Sequence, residues 1–431
     1  MVLYRILISA YFWVLRLAAL FSPKARLWVQ GRRDIMPYVR REMAGQRVLW
    51  FHCSSLGEFE QGRPLIEKVR ALYPTKKLLL TFFSPSGYTL RKDYPLVDYV
   101  CYLPQDTPQA VEAFLAEVQP EMVIFVKYDY WYILLQALLR RQIPVYFVSA
   151  VIKKGHYLTR WYAASFRKIL RQVTHFYVQD KFSKAQFEQM GITQVTVAGD
   201  TRVDRVVTLA QNAKKYPAIQ DWVGQQPVFI CGSTWPADEA IIVPFFETII
   251  RSGWKIIIAP HEVNPKNIRR LAKKLPKNQA FFSALNLDEP SDSRLQGVDV
   301  LIVDTVGHLN ALYQFGQIAY VGGGFETSGL HNTLEPAAFG LPLIYGPNFS
   351  KFMEAVAFAK NGGGFVVGAW NKKSITPVET CREEFEAAWE NLQNPPLRGK
   401  ASQAVRSYIA ENRGATEQIV SELMPVSTKK R

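Results

Sequence analysis

The chain has 431 residues, 48% of them hydrophobic, with 52 Lys and Arg against 37 Asp and Glu and a net charge of +15. That length exceeds one ordinary core and implies two domains, and the apolar fraction excludes a disordered chain. The cationic excess asks for an anionic partner, but no zinc-finger spacing, RNA-binding signature or long basic arm is present, which argues against nucleic acid.

The chain opens with MVLYRILISAYFWVLRLAALFSPKAR. The ten residues between Arg5 and Arg16 fall short of the roughly 20 apolar residues that span a bilayer. Eleven positions separate the two arginines, which puts them close to one helical face. Lys24, Arg26, Arg32 and Arg33 follow. Residues 1–30 are therefore read as a membrane-associated helix lying on an anionic leaflet. A tilted span and a helix buried against the protein are the alternatives. Arg16 and the lack of an A-x-A-like site argue against a cleaved signal. On this reading, residues 1–21 hold the protein at the surface and do not build its active site.

Further along, short apolar runs alternate with helical patterns. VLWFHC (48–53), KLLLTFF (77–83), MVIFV (122–126), VYFVSA (145–150) and THFYVQ (174–179) are the first-half strands. VFICG (228–232), WKIIIAP (254–260), VLIVD (300–304), IAYVGG (318–323) and LPLIYG (341–346) repeat the plan. Unbroken apolar runs of this length suit parallel strands covered on both faces. The expectation is two doubly wound α/β domains, Rossmann-like, with parallel sheets facing a cleft. Residues 31–210 form the first, 211–221 a polar linker, 222–426 the second with a closing helix, and 427–431 a frayed tail. Cys53, Cys101, Cys231 and Cys381 form no CxxC pair and read as reduced, buried thiols.

Four motifs sit where strands run into loops, the ligand end of such sheets. In HCSSLGEFEQGRPLIEKV, a small-residue turn that includes Ser55 and Gly57 enters a helix whose first N–H groups suit an anion. Glu58 is placed to take a proton from a hydroxyl or to cap the helix, and Glu60 is its rival. In GSTWPADE, Ser233 and Thr234 cap a helix or hold phosphate. His261, in APHEVNP, is either a hydrogen-bond donor to phosphate or ribose or an ordinary surface histidine. The richest run is YVGGGFETSGLHNTLEPAAFGLPLIYGP. Its glycines, Gly323 and Gly324 among them, permit close backbone approach to a ligand. His331, Asn332 and Glu335 then open a helix, either as a capping arrangement or as contacts to phosphate and ribose. No G-x-G-x-x-G opens a first βαβ unit and no Walker A lysine motif appears, which argues against NAD and ATP.

Taken together, HCSSLGEFEQGRPLI, GDTRVDRV, GSTWPADE and GLHNTLEPAAFGLPLIYGP resemble the 3-deoxy-D-manno-octulosonic acid (Kdo) transferases of glycosyltransferase family 30. The resemblance implies a GT-B fold with an acceptor domain followed by a donor domain. It implies an inverting transfer from CMP-Kdo to a lipid A precursor in lipopolysaccharide synthesis, at the cytoplasmic face of the bacterial inner membrane. The family's general base falls on Glu58. A basic donor-site residue falls on Arg202, and the remaining donor residues on Ser233, Thr234, His261, Asn332 and Glu335. Arg63, Lys153 and Lys154 are basic groups suited to lipid phosphates or the Kdo carboxylate. No metal motif is convincing and no cofactor is implied; CMP-Kdo is a substrate. The expected partners are the lipid A precursor, CMP-Kdo and anionic inner-membrane lipids, with no obligate protein partner. The chain departs from the family pattern at Lys127, Asp129, Val151 and Leu330. Two other readings keep the same architecture: another nucleotide-sugar GT-B enzyme (an epimerase or transferase), or a non-catalytic membrane-bound glycolipid-binding protein.

Overall fold

The computed structural model describes residues 2–371 and 374–424; the expected tail at 427–431 lies outside the described residues. The chain forms two compact units, residues 1–204 with 413–431, and residues 205–412.

The first unit is built on a seven-stranded parallel sheet. Its strands are β1 (Arg47–Cys53), β2 (Lys77–Phe82), β3 (Tyr99–Tyr102), β4 (Gln119–Val126), β5 (Val145–Ala150), β6 (His175–Val178) and β7 (Val195–Val197), in the order 3-2-1-4-5-6-7. Five of the seven correspond to the apolar runs read from the sequence. The other two, β3 and β7, are the edges. The inner strands are buried nearly end to end, as double coverage requires. On one face Phe125, Phe147 and Phe176 stack at 5.1 and 5.0 Å between centroids.

On the opposite face lies the helix Ala415–Leu423, whose Ile419, Val420 and Leu423 join the core of β1, β2 and β4. The sequence reading gave this closing segment to the second domain. Burial of its apolar stripe on the first sheet decides otherwise, and Asp204 fixes its start by accepting the Thr416 N–H at 2.6 Å.

Three helices precede β1: α1 (Val2–Ala18), α2 (Pro23–Arg33) and α3 (Ile35–Met43). No single helix is long and apolar enough to cross a membrane. The pair α1 and α2, bent by 117°, passes by length and composition alone. One face of α1 packs on the unit: Phe12 is buried and stacks on Trp28 at 5.6 Å. Tyr4 donates a 2.6 Å hydrogen bond to buried Asp106. The other face is apolar and exposed, with Ile6, Leu7, Trp13, Val14 and Leu17 all more than half accessible. The helix is thus braced on the protein along one side only, which combines two of the alternatives read from the sequence.

The second unit repeats the parallel design. Its strands are β8 (Val228–Thr234), β9 (Lys255–Pro260), β10 (Gln279–Phe281), β11 (Val300–Ile302), β12 (Ile318–Val321), β13 (Leu343–Tyr345) and β14 (Gly364–Val366), ordered 10-11-9-8-12-13-14. Again the two edge strands, β10 and β14, are the ones the apolar runs did not reveal. The stretch 211–221, expected as a polar linker, is largely ordered: Pro217–Val223 is helical, and Tyr216 and Ile219 are buried. Tyr216 packs edge-on against Phe282 and bonds His308 Nδ1 at 2.8 Å. Its apolar residues, masked by polar neighbours in the sequence, are what bury it.

Candidate active site

In both sheets the chain reverses its winding at a central strand. β1 has β2 on one side and β4 on the other, and β8 lies between β9 and β12. Crevices outside the carboxyl ends of such strands are where α/β sheets take ligands. Three residues other than glycine hold left-handed backbone at these ends: Lys127 (φ 68) after β4, Ser149 (φ 51) in β5 and Ser233 (φ 55) in β8. Strained conformations of this kind cluster at working sites.

In the first unit, β1 runs through Ser54 into α4 (Leu56–Leu72), which starts at the N-cap Ser55. Helix and sheet approach closely at Gly62, where a Cβ would lie 2.9 Å from Val126 and 3.1 Å from the Cys53 sulfur. Glu58 occupies the third helical position. Its Oε2 accepts the Ser55 N–H at 2.9 Å and completes a capping box. Capping and catalysis, weighed above as alternatives, are compatible: Oε1 has no hydrogen-bond partner among the described residues. The side chain is only 8% exposed. Burial, then the charge of Asp129, push its pKa above the usual glutamate value, against the pull of Lys127, His52 and the Ser55 amide. A carboxylate raised in this way is a stronger base.

Beside it lies a polar chain that the sequence reading did not assemble. Trp50 Nε1 donates to Thr81 Oγ1 at 2.8 Å, and Thr81 meets His52 Nδ1 at 2.8 Å. His52 Nε2 meets Asp129 Oδ2 at 2.7 Å, and the same oxygen accepts from Ser54 and from Trp131 Nε1. Burial alone would raise the Asp129 pKa, but the hydrogen bonds from His52, Ser54 and Trp131 hold it below the ordinary value. With Nε2–H donated to Asp129 and the Thr81 oxygen taking the Trp50 N–H, the Thr81 hydroxyl can donate to Nδ1. The available signal was a lone histidine inside the apolar run VLWFHC.

Other expected residues of this unit are distributed unevenly. Glu60, the rival base, is held by Arg91 at 3.1 Å and Arg63 at 3.7 Å. Arg63 also pairs with Glu67 at 2.8 Å, so acidic neighbours on α4 already occupy the guanidinium that was expected to meet phosphate. Gly57 is open, its nearest neighbour being the Ser55 hydroxyl at 4.0 Å from a Cβ. Lys153 and Lys154 are exposed in the loop after β5. Arg202 lies in this unit, its Nη2 held by Asp200 at 2.6 Å.

In the second unit the rings of Trp235, His261 and His331 form a stack, with centroids 4.6 Å apart for Trp235–His261 and 4.3 Å for His261–His331. His331 Nε2 accepts the Trp235 Nε1–H at 2.9 Å. Burial, with His261 beside it, lowers the His331 pKa to about 4. The ring is therefore neutral at pH 7, with its proton on Nδ1. The Thr234 hydroxyl is buried and has no hydrogen-bond partner among the described residues. The helix Leu334–Ala338 has Thr333 as its N-cap and no side-chain capping bond, so the expected capping arrangement is not formed; Asn332 instead accepts the Leu334 N–H at 3.0 Å and donates to Glu335 Oε1 at 3.0 Å.

The glycine loop is shaped by a residue quoted within GSTWPADE but not singled out. Asp238 is fully buried and accepts from Trp235 N at 2.8 Å, Tyr320 Oη at 2.9 Å and Gly323 N at 3.0 Å. Burial raises its pKa to about 6. The Gly323 amide, expected to approach a phosphate, is thus spent on Asp238. A Cβ on Gly322 would lie 2.2 Å from the Ser233 carbonyl oxygen, and one on Gly324 2.5 Å from the Gly346 backbone. These glycines serve close packing of the loop on its neighbours. Among the described residues, no group of three or more His, Cys, Asp or Glu is arranged to hold a metal ion.

Residues 29–205 match the family model described as "3-Deoxy-D-manno-octulosonic-acid transferase (kdotransferase)". A 3-deoxy-D-manno-octulosonic acid transferase of Haemophilus influenzae is 24% identical over 392 residues, covering 88% of this chain and 86% of its own length. That of Aquifex aeolicus is 29% identical over 325 residues, with 74% and 82% covered. Among solved structures, the UDP-GlcNAc 2-epimerase of Neisseria meningitidis superposes with a TM-score of 0.57 at 15% identity, covering 88% of this chain and 99% of its own. The chain is homologous to GT-B nucleotide-sugar enzymes. In sequence the chain is similar to Kdo transferases and in fold to a UDP-GlcNAc 2-epimerase, and each of its two parallel sheets is Rossmann-like, consistent with GT-B.

Proposed function

We propose that this GT-B enzyme is an inverting, metal-independent glycosyltransferase that moves Kdo from CMP-Kdo to a lipid A precursor at the cytoplasmic face of the inner membrane. The observation that carries the reading is Glu58: a buried, pKa-raised carboxylate at a sheet's switch point, with one oxygen fixed by Ser55 and the other unengaged. In the proposed step Glu58 Oε1 takes the proton of the acceptor hydroxyl as its oxygen bonds to the anomeric carbon. The bond from that carbon to the phosphate oxygen breaks, and CMP leaves as an anion. Its phosphate is already acidic, so it needs donors and positive charge more than a proton. Arg202, Ser233, Thr234, His261, Gly324, His331 and Asn332 are the proposed donor contacts, with Glu335 on the ribose. Ser55, Gly57, Lys153 and Lys154 are proposed for the acceptor. The exposed apolar face of α1 would rest on the membrane surface where such an acceptor resides.

A second reading, a UDP-sugar epimerase, is favoured by the likeness to the epimerase folds. One experiment separates the two. The purified chain is given CMP-Kdo with lipid A precursor in one arm and UDP-GlcNAc alone in the other, with EDTA present in both. A precursor heavier by Kdo in the first arm is the expected result. An inverted sugar in the second, without transfer in the first, would establish the epimerase instead.

A further inference from the structure

The helices before β1, with Pro104, Gln105 and Ala110, line an open-mouthed cavity of about 680 Å³. Arg16, Leu20, Arg26, Trp28, Arg32 and Arg33 line it, and no carboxylate does. Four arginines at one cavity would ordinarily be offset by acidic neighbours. Here none of the four pairs with a carboxylate among the described residues. Arg26 is engaged by main-chain oxygens at the end of α1, those of Ala19 and Leu20, at 3.3 and 3.4 Å.

Arg32 is the most enclosed of the four. Its guanidinium carbon lies 3.8 Å from the centroid of the Trp28 ring and 4.8 Å from those of Phe83 and Tyr102. Two of its nitrogens donate to the carbonyls of Trp28 and Phe83, at 3.3 and 2.9 Å. The third, Nε, is out of contact with water and has no partner. Trp28 is 4% exposed, and its Nε1 is likewise buried and without a partner. Buried N–H groups are nearly always satisfied. These two N–H groups are sealed in the packing, but the Arg32 guanidinium has no counter-charge and stands with three further arginines at one cavity, which describes a place for an oxyanion.

The rim identifies the molecule that would bring the oxyanion. Leu20 lines the cavity, and Phe21 next to it is 88% exposed, as are Leu17 at 59% and Trp13 at 63% on α1. An apolar surface continuous with an arginine-lined cavity fits an amphiphile with a phosphate head. We infer that this cavity binds the phosphate of one anionic glycerophospholipid, with Arg16 and Arg33 at the mouth and the unneutralised charge of Arg32 beneath it. The inference rests on the proposed membrane-surface position of α1, but it asks for a single saturable site where that position needs only general attraction.

Calorimetry of the full chain in neutral detergent, with monomeric short-chain phosphatidylglycerol, phosphatidylcholine of the same chain length and inorganic phosphate as separate titrants, reads the site. One-to-one binding of phosphatidylglycerol, at least about tenfold tighter than either of the others, is expected. Arg16→Gln, on an exposed side chain, removes one cation of the cavity and should weaken binding several-fold. Arg33→Gln, also exposed, should do the same. Lys24→Gln, a cation outside the cavity, should leave the affinity unchanged. Equal losses in all three variants, or binding that never saturates, would reduce the cavity to general electrostatics and overturn the inference. Phosphate binding as tightly as the lipid, or a raised acceptor KM in Arg33→Gln as the main effect, would each overturn the lipid assignment. Liposome co-sedimentation is measured in parallel. Wild-type protein that binds the short-chain lipid but does not sediment would remove the membrane-surface reading and leave the site standing.

Discussion

The ligand ends of the two sheets share a topology and differ in chemistry. At the end of β1 and β4 the first unit gathers carboxylates: Glu58 with one free oxygen, and Asp129 saturated by His52, Ser54 and Trp131. At the end of β8, β9 and β12 the second unit gathers stacked rings, Trp235, His261 and His331, and buries its carboxylate, Asp238, beneath the glycine loop. The first end can accept a proton. The second spends the Trp235 and Gly323 amides on Asp238, which fixes its loop against the sheet. The surroundings push the pKa values of Glu58 and Asp129 apart, Glu58 upward by burial and Asp129 downward by its hydrogen bonds, the pattern that separates a base from a fixed carboxylate in the proposed reaction.

The sharpest way to break this contrast is Glu58→Gln. Transfer should fall by about 10²-fold or more, while CMP affinity, a property assigned to the second unit, stays constant. Near-normal turnover would remove Glu58 from the chemistry. Asp238→Ala makes the complementary test. It deprives three buried donors of their acceptor, at roughly 1 kcal/mol or more each. The variant should melt at a lower temperature and bind CMP about tenfold more weakly by calorimetry. Intact CMP binding would show that the loop holds its shape without Asp238. A smaller effect is expected for Glu335→Ala: a few-fold loss of CMP affinity through one ribose contact, with the fold intact.

The smallest effect is a pH dependence. His331 is held near pKa 4, below its ordinary 6.5. Between these values the unfolded chain binds a proton that the folded chain refuses, so stability is lost as pH falls from about 6.5 to 4. Asp238, raised from 3.8 to about 6, acts with the opposite sign over an overlapping range. The His331 contribution is therefore read by difference: urea titrations of His331→Asn should show a shallower acid loss than wild type. Identical pH profiles would place His331 in a wetter setting than the stack with Trp235 and His261 provides.

The four edge strands and the ten inner ones carry the lesson about legibility. Each inner run, such as VLWFHC or WKIIIAP, is buried on both faces, and its composition announces the strand by itself. β3, β7, β10 and β14 each have one neighbour and three or four residues, so pairing decides them more than composition. The motif residues follow the same division. The positions of Glu58 and His331 at the ends of strands were legible because they stand at turns where a strand gives way to a helix. The alternative of capping was legible too, since it rests on a spacing of three residues. Whether Glu58 keeps an oxygen free was not, because that depends on which neighbours turn toward it.

The sequence by itself determined the two parallel α/β halves, the loops at which their chemistry gathers, and the greasy helix at the start, because periodicity and local turn signals are short-range properties. Only the tertiary structure decided the partners. It joined His52 to Asp129 across 77 positions and Asp238 to Gly323 across 85. It returned the last helix to the first sheet, and left Trp28 and Arg32 with donors unspent. Hydrogen bonds and burial between distant segments depend on how the chain packs, and packing of that kind leaves no periodic mark in the residues that take part in it.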